Sequence, residues 1–181
     1  MLPNKKKILA ISGSLRSCSS NHNILHFLET LTPDHVEYTI YNGISALPHF
    51  DTDLDIEPAP APVAELRKLI AKADGIIICT PEYAYGVPGS LKNALDWTVS
   101  SGSLVDQPLM LVTASTGGEN AHSALLLILE ALSANILKQS ALLISFIRSK
   151  MNGEGKITDS ATEQSLREGF EGLLQTLRCL T

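Results

Sequence analysis

Residues 75–97 read GIIICTPEYAYGVPGSLKNALDW, and this stretch decides the fold. Ile76, Ile77, Ile78 and Cys79 form an unbroken apolar run that stops at Thr80-Pro81. Apolar runs this short, followed at once by a helix start, are the pattern of strands buried on both faces of a parallel sheet. Pro88-Gly89 opens the helix, which carries Lys92, Asn93, Asp96 and Trp97. Between strand and helix lies a short loop rich in flat side chains, Glu82, Tyr83 and Tyr85 among them. Loops at the carboxyl ends of such strands are where open α/β sheets bind ligands.

Working outward, the same alternation recurs. Lys7–Ser12, Val36–Tyr41, Pro108–Ala114 and Ser140–Ile147 read as further strands. Helices are expected from about Asn21 to Leu31, Val63 to Ala73, Ala121 to about Ile136, and from Thr158-Asp159 to about Leu177. Residues 42–62 are loop-like, with four prolines and the acidic residues Asp51, Asp53, Asp55 and Glu57 at spacings that do not match a calcium loop. Five strand–helix units in one chain imply βαβ connections. The expected fold is therefore α/β: one flavodoxin-like three-layer domain over residues 1–181, with a five-stranded parallel sheet in the order 2-1-3-4-5. In that topology the loops at 13–21, 81–89 and 115–120 meet at one crevice.

Composition narrows the function. The chain has 181 residues, 44 % of them hydrophobic, and a net charge of −5. The one basic run, Lys5-Lys6-Lys7, precedes the first strand, so no nucleic-acid partner is expected. Cys18, Cys79 and Cys179 are too scattered for a disulfide framework or a zinc site. His22 and His26 stand four apart on one helix without an obvious third ligand, and no metal is expected. The first residues lack the apolar core of a signal peptide, and no run is long enough to span a membrane; the expectation is a cytoplasmic protein with no membrane partner.

The loop Gly13-Ser14-Leu15-Arg16-Ser17-Cys18-Ser19-Ser20-Asn21 follows a buried strand and opens a helix. A helix N-terminus offers free N–H groups and a partial positive charge, which favour a phosphate. Hydroxyls and Arg16 add donors suited to a terminal monophosphate. Ser and Asn are also ordinary N-caps, so the same residues suit a plain βα loop. Neither GxGxxG nor GxxxxGK[ST] occurs, which disfavours a dinucleotide Rossmann site and a P-loop.

Taken together, the motifs resemble a known family. Gly13-Ser14-Leu15-Arg16 with Ser19 and Asn21 is similar to the GSLRxxSxN phosphate loop of the NADPH-dependent FMN reductases. Pro81-Glu82-Tyr83, Pro88-Gly89, Leu91-Lys92-Asn93-Ala94 and Asp96-Trp97 resemble that family's PEYNxSxPGxLKNAIDW signature. The resemblance covers about residues 6 to 178. It implies FMN as cofactor and NADPH or NADH as co-substrate, with hydride passing through the flavin N5 to a small acceptor. That acceptor would be a free flavin, quinone, azo compound or metal oxyanion. Ser14, Arg16, Ser19, Ser20 and Asn21 would surround the phosphate. Pro81, Glu82 and Tyr83, with the backbone through Ala84 and Tyr85 to Gly86, would line the isoalloxazine edge. Ser115, Thr116 and Gly117 would contact the ribityl chain or ring. No side chain is assigned as catalytic, because the cofactor carries the chemistry. Glu82 is expected to fix its loop or cap the neighbouring helix. His122 stands beside the third loop, either against substrate or as an ordinary first-turn residue. The resemblance also implies a homodimer or homotetramer.

Two departures bear on acceptor choice more than on FMN. Ala84 stands where the family has Asn, and the third loop, Ser115-Thr116-Gly117-Gly118-Glu119-Asn120, is shorter and lacks a following Arg. Two alternatives carry the same fold: a flavodoxin-type electron carrier and a non-catalytic flavin-binding protein. The modest charge and the arginine in the first loop favour the enzyme.

Overall fold

The computed structural model describes residues 5–179. Its elements are β1 (Lys6–Ser12), α1 (Ser20–Thr30), β2 (Val36–Tyr41), α2 (Ala61–Lys72), β3 (Gly75–Thr80), α3 (Gly89–Asp96), β4 (Pro108–Ala114), α4 (Glu119–Ala131), β5 (Asn135–Ile144) and α5 (Ser160–Cys179). Short 3-10 turns lie at Ile44–Ala46, Thr52–Leu54 and Ile147–Lys150. The sheet order is β2-β1-β3-β4-β5, and every pairing is parallel. This is the flavodoxin-like topology expected from the alternation.

Burial explains why the central strands were legible. Every residue of β3 and of β4 is buried. Ile76 and Ile78 face the layer of α2, α3 and α4, with Val63, Leu66, Leu91 and Leu125. Ile77 and Cys79 face the layer of α1 and α5, with Ile24, Leu28, Phe170 and Leu173. Each fully buried isoleucine contributes about 1.5–3 kcal/mol. The edge strands β2 and β5 are covered less completely and keep exposed positions.

The structure corrects the sequence expectation at the far edge. The helix expected to run to Ile136 ends at Ala131, and β5 begins at Asn135 rather than Ser140. Ser133 adopts a left-handed φ of 54°, its carbonyl accepts from the Asp106 amide, and Asn135 then pairs with Pro108. Between Leu109 and Leu111 the partner on β5 advances from Ile136 to Ala141, so β5 bulges outward over Leu137–Ser140. An apolar segment such as 124–136 satisfies helix and strand periods alike, which hid this boundary.

Gly13 ends β1 at the centre of the sheet. Its amide donates to the Cys79 carbonyl at 2.8 Å, and a Cβ there would stand 2.8 Å from Thr80 Cβ. Only glycine lets the first loop leave the sheet so close to β3.

Candidate active site

The carboxyl ends of β1, β3, β4 and β5 enclose a cavity of about 290 Å³. Ser14, Arg16, Ser19, Ser20 and Asn21 line it from the first loop, and Pro81, Glu82 and Tyr83 from the second. Ser115 and Thr116 line it from the third loop. The crevice expected from the topology is thus formed. Four candidate residues, Ala84, Tyr85, Gly86 and Gly117, lie outside the cavity wall. Cys18, a first-loop thiol, lines it as well, and Ala114, Ile147 and Arg148 do so without having been offered as site candidates from the sequence.

The first loop is held rigidly from within. Ser12 Oγ accepts from the Ser14 amide, and Ser14 Oγ accepts from the Arg16 amide. Ser19, rather than Asn21, is the N-cap of α1, and its Oγ accepts from the His22 amide at 3.2 Å. Asn21 has a different duty. It is buried, its Nδ2 donates to the Ala114 carbonyl, and its Oδ1 accepts from Cys79 Sγ at 3.3 Å. The side chain therefore locks the start of α1 across β3 and β4. The amides of Ser20 and Asn21 have no partner among the described residues and open onto the cavity end of the helix. Nor does the Arg16 guanidinium have a hydrogen-bond or ion-pair partner among them.

The second loop is a two-residue hairpin. Tyr83 and Gly86 exchange both amide–carbonyl hydrogen bonds at 3.0 Å, with Ala84 and Tyr85 at its tip. Both tip residues are left-handed, with φ of 48° and 61°. That is type I′ turn geometry, which favours Asn-Gly and strains a side chain bearing Cβ. Ala84→Asn is therefore expected to stabilise the protein by about 0.5–1 kcal/mol, because Asn tolerates this conformation. Thermal unfolding should show a rise of a few degrees; an unchanged or lower midpoint would show that the hairpin is not strained. Tyr83 lines the cavity and is half exposed, and Tyr85 at the hairpin tip is 82 % exposed.

Glu82 is already committed. Its Oε2 accepts from the Ala121 amide at 2.8 Å, in the first turn of α4, and its own amide donates to Ser115 Oγ. The second and third loops are thereby tied together, as the capping expectation for Glu82 required. His122 Nδ1 lies 2.9 Å from Thr113 Oγ1, burial lowers its pKa, and the ring lies outside the cavity lining. Burial raises the pKa of the Cys79 thiol, which keeps it an inert core group. Among the described residues there is no group of three or more His, Cys, Asp or Glu placed to hold a metal ion. No helix among them is long and apolar enough to cross a membrane.

Arg148 is the residue that sequence reasoning missed. It follows β5, whose end lies on the same sheet edge as the other three loops. No motif marks it; the signal available was the topology, which opens the loop after β5 beside the loop after β4.

Comparison with known proteins agrees with this geometry. The family model described as NADPH-dependent FMN reductase matches residues 6–148. A quinone reductase of Escherichia coli (strain K12) is 33 % identical over 165 residues, covering 87 % of this chain and 88 % of that protein. An NAD(P)H-dependent FMN reductase of Pseudomonas aeruginosa is 29 % identical over 179 residues, covering 96 % of each. The structure of the flavoenzyme NAD(P)H:(acceptor) oxidoreductase FerB from Paracoccus denitrificans superimposes with a TM-score of 0.81 at 26 % identity, covering 96 % of this chain and 97 % of that one. With the crevice at the sheet's carboxyl edge and a family match across most of the chain, this protein belongs to the NADPH-dependent FMN reductase family of FMN-dependent NAD(P)H oxidoreductases.

Proposed function

We propose that this single-domain chain binds FMN in the crevice and uses NADH or NADPH to reduce a small planar acceptor of the quinone class. The observation that carries the reading is one cavity combining arginines unpaired among the described residues, two free helix-start amides and buried serines, with the exposed Tyr83 on its wall. This donor set fits the flavin phosphate: Arg16, the Ser14 and Ser19 hydroxyls and the amides of Ser20 and Asn21 would hold it. Ser115, Thr116 and the Pro81–Tyr83 backbone would orient the rest of the cofactor. When bound, the flavin supplies hydride acceptance from the nicotinamide and its return to the acceptor.

The chain's own contribution is binding and electrostatics. Amides of Glu82, Tyr83 and Gly86 are already used within the protein, and those of Ala84 and Tyr85 at the hairpin tip are not. Glu82, tied to α4, sets the distance between the second and third loops rather than moving a proton. Tyr83 and Tyr85 offer stacking surfaces for a flat visitor. Their exposure and the open mouth support exchange of nicotinamide and acceptor over one ring. The quinone reductase relative supports the acceptor class.

The deciding experiment is titration of the purified apoprotein with FMN, followed by NADH and NADPH oxidation with a benzoquinone as acceptor. Stoichiometric flavin binding with quinone-dependent turnover is expected. Flavin binding without nicotinamide oxidation would instead favour an electron carrier, and absence of flavin binding would remove the reading. Thiol labelling gives a footprint. Cys18 lines the cavity and is exposed, Cys179 is exposed on α5, and Cys79 is buried. FMN is expected to slow labelling of Cys18 severalfold and leave Cys179 unaffected, with Cys79 reacting only after unfolding. Equal rates for Cys18 with and without FMN would place the ligand elsewhere.

A further inference from the structure

We propose that Arg148 is a second phosphate-binding arginine of this site, and that it makes the cradle selective for a flavin ending in a monophosphate. The inference rests on the FMN reading above.

Placement comes first. Phe146 donates its amide to the Thr116 carbonyl and Ile147 to the Ser115 carbonyl, both at 3.1 Å. Ile147 is buried in the core, and Ser149 returns both its amide and its Oγ to the Phe146 carbonyl. Phe146 itself sits at a left-handed φ of 57°, a conformation that costs a Cβ-bearing residue roughly 1–2 kcal/mol. The turn is thus over-determined, and it sets Arg148 on the wall of the same cavity as Arg16.

Charge comes second. The chain has five arginines. Arg67, Arg167 and Arg178 each pair with a carboxylate, of Asp55, Glu163 and Glu171 respectively. Neither Arg16 nor Arg148 has such a partner among the described residues, and both face one cavity. Among the described residues the only carboxylate on that wall, Glu82, is engaged by the Ala121 amide. Two unpaired guanidiniums around one space repel unless an anion lies between them. A terminal monophosphate, close to −2 at neutral pH, satisfies both. Each phosphate of a dinucleotide carries only one charge.

The surroundings agree. At Cys18, Ser20 and Arg148 the cavity adjoins a second space of about 380 Å³, bounded beyond by Asn152–Gly155. An adenylate attached to the phosphate and leaving through that junction would pass Arg148 and approach Glu154.

The test titrates apoprotein with FMN, riboflavin and FAD, following flavin fluorescence, for the wild type, Arg148→Gln and Arg148→Lys. Wild-type protein is expected to bind FMN more tightly than either other flavin. Arg148→Gln is expected to weaken FMN binding about 10- to 100-fold, the range of one charge-assisted hydrogen-bonded pair, and to leave the riboflavin signal unchanged. Arg148→Lys should recover part of the loss, since it restores the charge without the planar fork. Arg148 is exposed, and the melting temperature of the apo variant should match the wild type. Three results overturn the proposal: unchanged FMN affinity in Arg148→Gln, an equal loss for riboflavin, or FAD bound at least as tightly as FMN by the wild type. Wild-type protein that binds none of the three overturns the FMN reading and this inference with it.

Discussion

Arg16→Ala is expected to weaken FMN binding by about 10- to 100-fold while leaving the melting temperature of the apoprotein within about a degree of the wild type. The guanidinium is exposed and makes no hydrogen bond or ion pair among the described residues, so the fold does not depend on it. It does line the cavity over the free amides of α1. Removing it takes away a charge-assisted donor and leaves the helix-start amides and serine hydroxyls in place. Binding should therefore fall without vanishing. Isothermal titration at fixed ionic strength reads the change, and added salt should narrow the gap between variant and wild type, since exposed charges are screened. Unchanged affinity would contradict a phosphate at the first loop.

The largest expected loss of stability comes from Trp97→Ala, at about 3–5 kcal/mol by urea denaturation. Trp97 is fully buried at the end of α3. Its Nε1 donates to the Pro48 carbonyl at 2.9 Å, Phe50 meets its ring edge-on at 5.1 Å, and the Arg67 guanidinium lies 5.9 Å from the ring centroid. The Pro48 carbonyl also accepts from Asn93 Nδ2, so truncation leaves a void rather than an orphaned acceptor. Trp97→Phe should cost less, about 1–2 kcal/mol, because the ring is largely kept and one hydrogen bond is lost. Similar losses for the two variants would mean the hydrogen bond, not the volume, carries the stability.

These two residues divide the long motifs into different jobs. In the 88–97 segment, Asn93 and Trp97 bind the loop at Pro48–Phe50 back onto α3, and Lys92 pairs with Asp96 along the helix. The strongest part of the family signature therefore maintains the scaffold. Residues that face the cavity come instead from the first loop, the Pro81–Tyr83 corner, the third loop and the Ile147-Arg148 turn after β5. Ala84 illustrates the boundary. In the sequence it reads as a missing side-chain amide; in the structure it is a strained turn position outside the cavity wall. Asn at that place suits the turn's backbone, whatever else it does.

The sequence by itself determined the layered fold. Strand segments covered on both faces are dominated by apolar residues, so residues 8–11 of β1 and the runs of β3 and β4 announced themselves, and glycine, proline and serine marked the loops between them. It also determined the phosphate-loop candidates, because a helix start needs capping groups that are read locally. Only the tertiary structure decided the rest. The β5 bulge arises from pairing across the sheet, the left-handed pair at Ala84-Tyr85 from closure of a tight hairpin, and Arg148 reaches the site through the order of strands in space. Local patterns report which residues are buried and how the chain turns; they carry no record of which distant loop arrives at the same cavity wall.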